Sequence, residues 1–430
     1  MYAHTAIAPQ WGRPERPSMN NPRAMPAAMP FSPGVWNPVF TCIWAAIFLA
    51  SVATYFLLMT LAANVFAASG SALWANSVVL TQWLPAVVAL VPIRRAVARH
   101  PPRALLMFCE LASALLLVAV LFSAGTLALL MAVLLLKGSM DALSKVSRTV
   151  ALKNYFSGKT LETAASYYNT AALAGQAVGA LMGALLLGHL DMGAMLAVCG
   201  ALHLAAAALY QSLPAASTAA SAPAGGPKQA AEAQAADAAR LRSAIVYFIA
   251  AICLYQGFHN IARSAFPVRQ LGMAESAIGL VQTLTNVAYI AGAFVAARFS
   301  LAAGRYALVG PLAHAAPILC LVPLAFVTAP VPGLAVYALF AFGFEVAFCV
   351  HLRYIITAAP AARLGAIVAN TNAMALGAMV CFSLAGSWVA DRVGLWVVTG
   401  AVLLLSLLAP AVAYGLARRA ASDAPASVSQ

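Results

Sequence analysis

The chain has 430 residues, of which 63% are hydrophobic and only 8% charged, and its formal net charge is +13; its mean hydropathy is +0.89. Soluble domains carry about 25% charged residues, so this composition excludes a water-soluble enzyme or binding module and points to a membrane protein. At about 20 apolar residues per crossing, the length accommodates roughly twelve spanning helices.

Residues 1–37 are proline-rich ("RPERPSMNNPRAMPAAMPFSPG") and are expected to be disordered. The first apolar run begins near Pro38, too far from Met1 for a cleaved signal peptide. Hydropathy, with Gly, Pro and charge as punctuation, predicts spans near 39–67, 73–93, 104–123, 126–148, 161–187 and 193–212. The segment 213–242, which holds "LPAASTAASAPAGGPKQAAEAQAADAARLR", has little to bury and reads as a flexible linker. Six further spans are predicted near 243–267, 276–298, 305–327, 333–356, 363–388 and 394–416, followed by a tail over 418–430. The expected organisation is an all-α membrane protein of twelve helices, with one six-helix bundle over 38–212 and a second over 243–417.

All but four of the 24 Lys and Arg residues fall in the N-terminus, the linker, the tail or the loops after even-numbered spans. The exceptions are Lys137, Arg263, Arg269 and Arg392. The positive-inside rule therefore predicts that both termini and the linker are cytoplasmic. Topology accounts for the positive charge, and no nucleic-acid partner is implied. The seven cysteines are scattered singly through apolar segments and read as small buried hydrophobes, not as a metal or disulfide framework. No Walker loop, HExxH or GxSxG motif occurs, so ATP-driven transport and membrane-embedded hydrolysis lack their chemistry, and neither an enzyme nor a cofactor is expected.

Charges inside predicted spans are the informative exceptions. In "LLLKGSMDALSKVSRTVALK", Lys137, Asp141 and Lys145 recur every four residues and Arg148 follows, so a helix carries all four on one stripe. A charge at mid-bilayer costs about 2.5–3.5 kcal/mol on insertion scales, so the stripe must face protein or a hydrated cavity. Two readings stand. Either Asp141 neutralises its neighbours in a structural clamp while Lys145 and Arg148 reach the headgroups, or Lys137 and Asp141 belong to a central polar site. Glu345, in "FAFGFEVAFCVHLR", lies about halfway along its span among aromatics, with Arg353 two turns away on the same face. It is the first candidate for proton coupling. Glu110, in "MFCELAS", is the second unless a basic-side arginine pairs with it. Asp141, flanked by cations, is the third and is better suited to binding or gating.

In span seven, "YQGFHNIARSAFP" sets Gln256 and Asn260 one turn apart, His259 and Arg263 likewise, and ends at Pro267. Helix breaks beside polar groups are typical of transporter sites. Arg263 suits an anionic substrate group, or an interior acid, Glu345 or Glu110. Gln176 in span five joins the substrate-binding candidates with Lys137. Asn169 and Asn372, at matching places in spans five and eleven, either contact substrate or hydrogen-bond between helices. Gly175, Gly179 and Gly183 form a ridge for close helix packing. His189 and Asp191 fit helix capping, and His351 is given no role. Arg94, Arg298, Arg353, Lys145 and Arg148 are the expected gating or structural charges.

An internal repeat is visible. Asp141, Arg148, Asn169, Gly183 and Gly193 are echoed in order, at similar spacing, by Glu345, Arg353, Asn372, Gly386 and Gly394, and "GSALWANSVVLTQWLP" is echoed by "ESAIGLVQTLTNVAYI". Parallel six-helix repeats belong to one transporter architecture. The chain resembles the major facilitator superfamily, and within it the drug and siderophore exporters, over residues 38 to 417. The resemblance is carried by "LETAASYYNTAALAGQAVGALMGALLLG", "HNIARSAFPVRQLGMAESAIGLVQTLTN" and "PAARLGAIVANTNAMALGAMVCFSLAGSWVADRVG". Departures from the family pattern are "VPIRRAVARHPPR", which keeps the arginines and lacks the acid, "GAFVAARF", with Ala297 for an Asp, and "GQAVGA", with Gln176 for a Pro.

The resemblance implies a secondary active transporter that exports a small organic molecule, such as a siderophore or drug-like amphiphile, against protons by alternating access around a midplane cavity. The implied setting is a bacterial inner membrane, with lipid, protons and substrate as partners and a monomeric state. An uptake symporter for an organic anion and a lysophospholipid flippase are the alternatives. A non-transporting sensor or scaffold would need no midplane charges.

Overall fold

The computed structural model describes residues 37–123, 125–156, 158–214, 231–298, 303–359 and 364–422. Most of the expected N-terminus, much of the linker, part of the tail, and Arg13, Arg16, Arg23, Lys228 and Arg363 lie outside them. The described residues are helical and contain no strand. In chain order the helices are α1 Pro38–Ser69, α2 Ala72–Leu80, α3 Leu84–Val88, α4 Leu90–Arg99, α5 Pro102–Ser123, α6 Leu127–Tyr155, α7 Gly158–Leu186 and α8 Met192–Gln211. The second half holds α9 Ala231–Ala250, α10 Gly257–Ala265, α11 Ala277–Arg298, α12 Ala303–Phe326, α13 Pro330–Ala358, α14 Leu364–Arg392 and α15 Leu395–Ser422. Wider, π-helical turns over Ala251–Gln256 and Phe266–Gln270 join α9 to α10 and extend α10.

Eleven helical stretches among the described residues are long and apolar enough to cross a membrane. The expected twelfth, span two, is broken into α2, α3 and α4. Its two breaks follow from Pro85 and Pro92, each of which has no N–H for, and collides with, the carbonyl four residues earlier, Thr81 and Val88. The Thr81 carbonyl freed by this break abuts Gly138 of α6 so closely that no Cβ would fit there. Span seven passes Pro267 without ending, because the wide turn over Phe266–Gln270 absorbs the missing hydrogen bond. The helix of α9 begins at Ala231, inside the segment expected to be a flexible linker. "AAEAQAADAARLR" is poor in apolar residues, which suggested a coil, yet rich in strong helix formers.

Since successive spans alternate in direction, one end of the molecule collects Gly70, Arg269 and Asp391, and the other collects the α4–α5 and α13–α14 connections with their arginines. We call these the latch end and the basic end. Within the first half, α1 lies along α7, where Gly175 and Gly179 touch the α1 backbone at Phe48 and Val52 without room for a Cβ. The predicted glycine ridge therefore packs as expected, with Gly183 in looser contact at Thr60. The halves meet along two seams related by the repeat, α2 on α14 and α7 on α11. At the second, Gly279 lies against the backbone of Ala180 and Ala184, and the Thr283 hydroxyl donates to the Ala177 carbonyl at 3.1 Å.

Candidate functional site

Among the described residues, three of the buried polar groups draw on sequence candidates. In the first half, Lys137 on α6 is 2% exposed; its Nζ lies 3.0 Å from Asp141 Oδ2 and donates to the Thr54 hydroxyl of α1 at 2.9 Å. Nearer the basic end, Glu110 of α5 accepts from Arg148 at 3.3 Å and from Ser144 at 3.2 Å, and its second oxygen lies 2.8 Å from Nδ1 of His203 on α8. The charged stripe thus does not act as one unit. Lys137 and Asp141 neutralise each other, Arg148 turns to Glu110, and exposed Lys145 sits 5.1 Å over the Trp83 ring. Arg148 reaches a buried acid instead of the headgroups because Glu110 stands one helix away.

The third group lies in the second half. His259 Nε2 is 3.1 Å from Gln282 Oε1, and its Nδ1 is 2.9 Å from the Tyr337 hydroxyl. Arg263, 3% exposed, donates to the same Gln282 oxygen at 3.0 Å, and Gln282 Nε2 donates to Asn286 Oδ1 at 3.2 Å. Alongside, Gln256 accepts from Tyr289 at 3.2 Å and donates to Asn260 at 3.4 Å, while Asn260 donates to Ser383 at 3.5 Å. Arg263 does not pair with Glu345 or Glu110, the interior partners open to it in the sequence. Glu345, 6% exposed, packs its side chain on Gly292 and accepts only the Cys349 thiol, at 3.3 Å. Among the described residues it has no cation within ion-pair distance. Tyrosines connect the groups: Tyr55 of α1 is in electrostatic range of both Arg263 and Asp141, and Tyr289 of α11 is in range of both Arg263 and Glu345.

Other expectations fare differently. Asn169 is exposed and Asn372 and Gln176 are half-buried, and among the described residues none of them makes a hydrogen bond, so the interhelical bonds open to the asparagines are not formed. Asp191 caps α8 as expected. His351 is buried against the Tyr306 hydroxyl at 2.8 Å. Arg353 donates to the Ala296 carbonyl at 3.2 Å, and Arg94 and Arg298 are exposed. Of the charges expected around one midplane chamber, Lys137, Arg263 and Glu345 are buried between helices and Asp141 is half-buried. Cavities of about 180 Å³, beside Thr60 and Met192, and about 280 Å³, beside Arg269 and Trp396, both lie toward the latch end.

The latch itself escaped sequence reading. Asp391 at the end of α14 accepts from the Ser71 hydroxyl at 2.6 Å and from the N–H groups of Ala72 at 2.9 Å and Leu73 at 3.1 Å, and pairs with Arg269 at 2.8 Å. It caps the N-terminus of α2 from the opposite half. Arg269 also donates to the Gly70 carbonyl, and one turn inward Asn76 donates to Ser387 at 2.8 Å. A signal was present: Arg269 and Arg392 are the isolated basic residues of this end, and an isolated Arg invites a search for its acid.

Fold and comparison agree on the class of molecule. Residues 40–375 match the Major Facilitator Superfamily. The chain belongs to that superfamily. Among solved structures, this superfamily member resembles a bacterial homologue of the human lysosomal transporter Spinster in an inward-facing, unoccupied conformation, with a TM-score of 0.64 and 13% identity over 91% of this chain and 98% of that one. The POT family transporter PepTSo gives a TM-score of 0.68 at 12% identity, over 90% and 99% of the two chains. A bacterial homologue of the iron transporter ferroportin, outward-facing, gives 0.59 at 14% identity, over 88% and 99%. At these identities the likeness establishes the fold. No curated protein sequence matches the chain. The protein is a multi-pass membrane transporter.

Proposed function

We propose that this transporter exports a small organic molecule, of the siderophore or drug-like amphiphile kind, in exchange for protons. The observation that carries the coupling step is Glu345. Among the described residues the other buried acid, Glu110, is tied to Arg148 and His203, and half-buried Asp141 is tied to Lys137. Glu345 has a thiol alone. A carboxyl outside any ion pair can gain and lose a proton without breaking one, which is what a coupling acid requires. Glu110 and Asp141 are accordingly structural in this reading.

The basic end faces the cytoplasm by the positive-inside rule, which puts both termini inside and the latch on the outer face of a bacterial inner membrane, in a monomer. Closure at the latch then corresponds to access from inside. Alternating access consists of opening this outer contact while the basic end closes. Uptake of an organic anion is the second reading, favoured by Arg263, a buried cation with no acid paired to it among the described residues.

The test uses inside-out vesicles carrying the purified protein. Glu345→Gln is expected to abolish flux driven by a pH gradient while substrate binding persists; unchanged gradient-driven flux removes Glu345 from the mechanism. Comparing secreted metabolites with and without the gene under iron limitation separates loss of one exported chelator from general efflux and from uptake. Maleimide labelling of a cysteine placed at 213–230 tests the orientation, since reaction from outside intact cells overturns it.

A further inference from the structure

The two midplane cations differ in what surrounds them. Lys137 has a carboxylate at 3.0 Å and a hydroxyl at 2.9 Å, so its charge is already compensated. Arg263 is as deeply buried, yet its one hydrogen bond among the described residues goes to a neutral amide oxygen. That oxygen is shared with His259. Arginine offers five N–H donors, and burying a guanidinium without a counter-charge costs several kcal/mol. Around it stand Tyr55, Tyr289 and Tyr337, all within electrostatic range, and among the described residues no carboxylate lies within ion-pair distance of it.

Hydrogen-bond bookkeeping in this group also ends on a donor. Gln282 Oε1 can only accept, so His259 Nε2 donates to it and, in the neutral ring, Nδ1 is left to accept from the Tyr337 hydroxyl, which also lies 3.4 Å from the His259 carbonyl. Gln282 passes the chain on to Asn286, whose side chain is fully buried and whose Nδ2 has no partner among the described residues. Spare donors and an uncompensated positive charge fit one class of ligand, an oxyanion.

Resting on the transporter reading above, we propose that the substrate site takes an organic anion whose carboxylate, or a like oxyanion, is held by Arg263 with Asn286, while His259 and Gln282 are positioning residues and Lys137 takes no part in charge recognition. A carboxylate matches the guanidinium fork in a bidentate pair. The proposal revises the sequence expectation, which counted Lys137 and Arg263 together.

Gln282 supplies the discriminating variant. Gln282→Glu is nearly isosteric and places an internal carboxylate 3.0 Å from Arg263, so it should raise the melting temperature of the empty protein and abolish anion binding. The experiment measures thermal stabilisation and binding isotherms of the purified full chain in detergent. Its probes are acetate, octanoate, decanoate and salicylate, each against its neutral amide. Wild type is expected to bind at least one anion and not its amide. Arg263→Gln should weaken that binding about 10- to 100-fold, the range for a charged hydrogen-bond partner, and Arg263→Lys should restore part of it. The Lys137→Met, Asp141→Asn double variant should bind like wild type. The proposal is overturned if no anion binds, if the amides bind equally, or if anion binding survives Arg263→Gln or Gln282→Glu. Glu345→Gln should keep anion binding, so a failure of proton coupling is seen separately from a failure of anion recognition.

Discussion

Removing the Asp391 carboxylate should unlatch the two halves. In Asp391→Ala the N-terminus of α2 loses three acceptor contacts and Arg269 loses its pair. A carboxylate at a helix N-terminus in a partly buried setting contributes up to about 2 kcal/mol. The Arg269 pair adds little, about 0–1 kcal/mol, because its side chains are 36% and 17% exposed. A net loss near 2 kcal/mol multiplies the open-to-closed ratio about 30-fold. An open form present at about 1% would rise to about 25%. Spin labels at Ala68 and Val393, both exposed at this end, in a background without exposed Cys381, report the distance between halves. Asp391→Ala should add a population at longer distance, Asp391→Asn a smaller one, and Arg269→Gln the smallest. If Asp391→Ala leaves the distribution as in wild type, the carboxylate does not hold the halves together and the latch reading fails.

Lys137→Ala and Asp141→Asn should each lower the denaturation midpoint in detergent, since breaking a buried pair costs about 3–5 kcal/mol; the Lys137→Met, Asp141→Asn pair should recover most of that loss. Glu110→Gln should destabilise comparably by stranding Arg148 beside His203, and thermal unfolding checks it. Gly179→Ala should cost about 1–3 kcal/mol by forcing α7 off α1, as overpacking does, and a variant as stable as wild type would show that the contact can yield.

Much of the architecture was legible because its cause is local. Hydropathy located the spans, and the spacing of the repeat aligned Asp141 with Glu345 in the sequence. The breaks in span two were also written locally, in Pro85 and Pro92, but a hydropathy window averages over prolines and reports one apolar run. What the sequence withheld was pairing across the fold. Nothing at Glu110 reveals that His203 and Arg148 converge on it from two other helices, and nothing at Lys137 names Thr54. The hydroxyls of Tyr55, Tyr289 and Tyr337 escaped notice for another reason: tyrosine in an apolar span reads as bulk until its position beside a buried cation gives the hydroxyl a purpose.

The seam between α7 and α11 bears on how such a molecule moves. Where Gly279 rests on Ala180 and Ala184, two backbones touch through hydrogens and methyl groups, with no long side chain that must change rotamer as one surface rolls over the other. Friction there is low by construction. Polar contacts at the rim, above all those of Asp391, then weigh more heavily on the resting pose, and a single residue there can shift its balance.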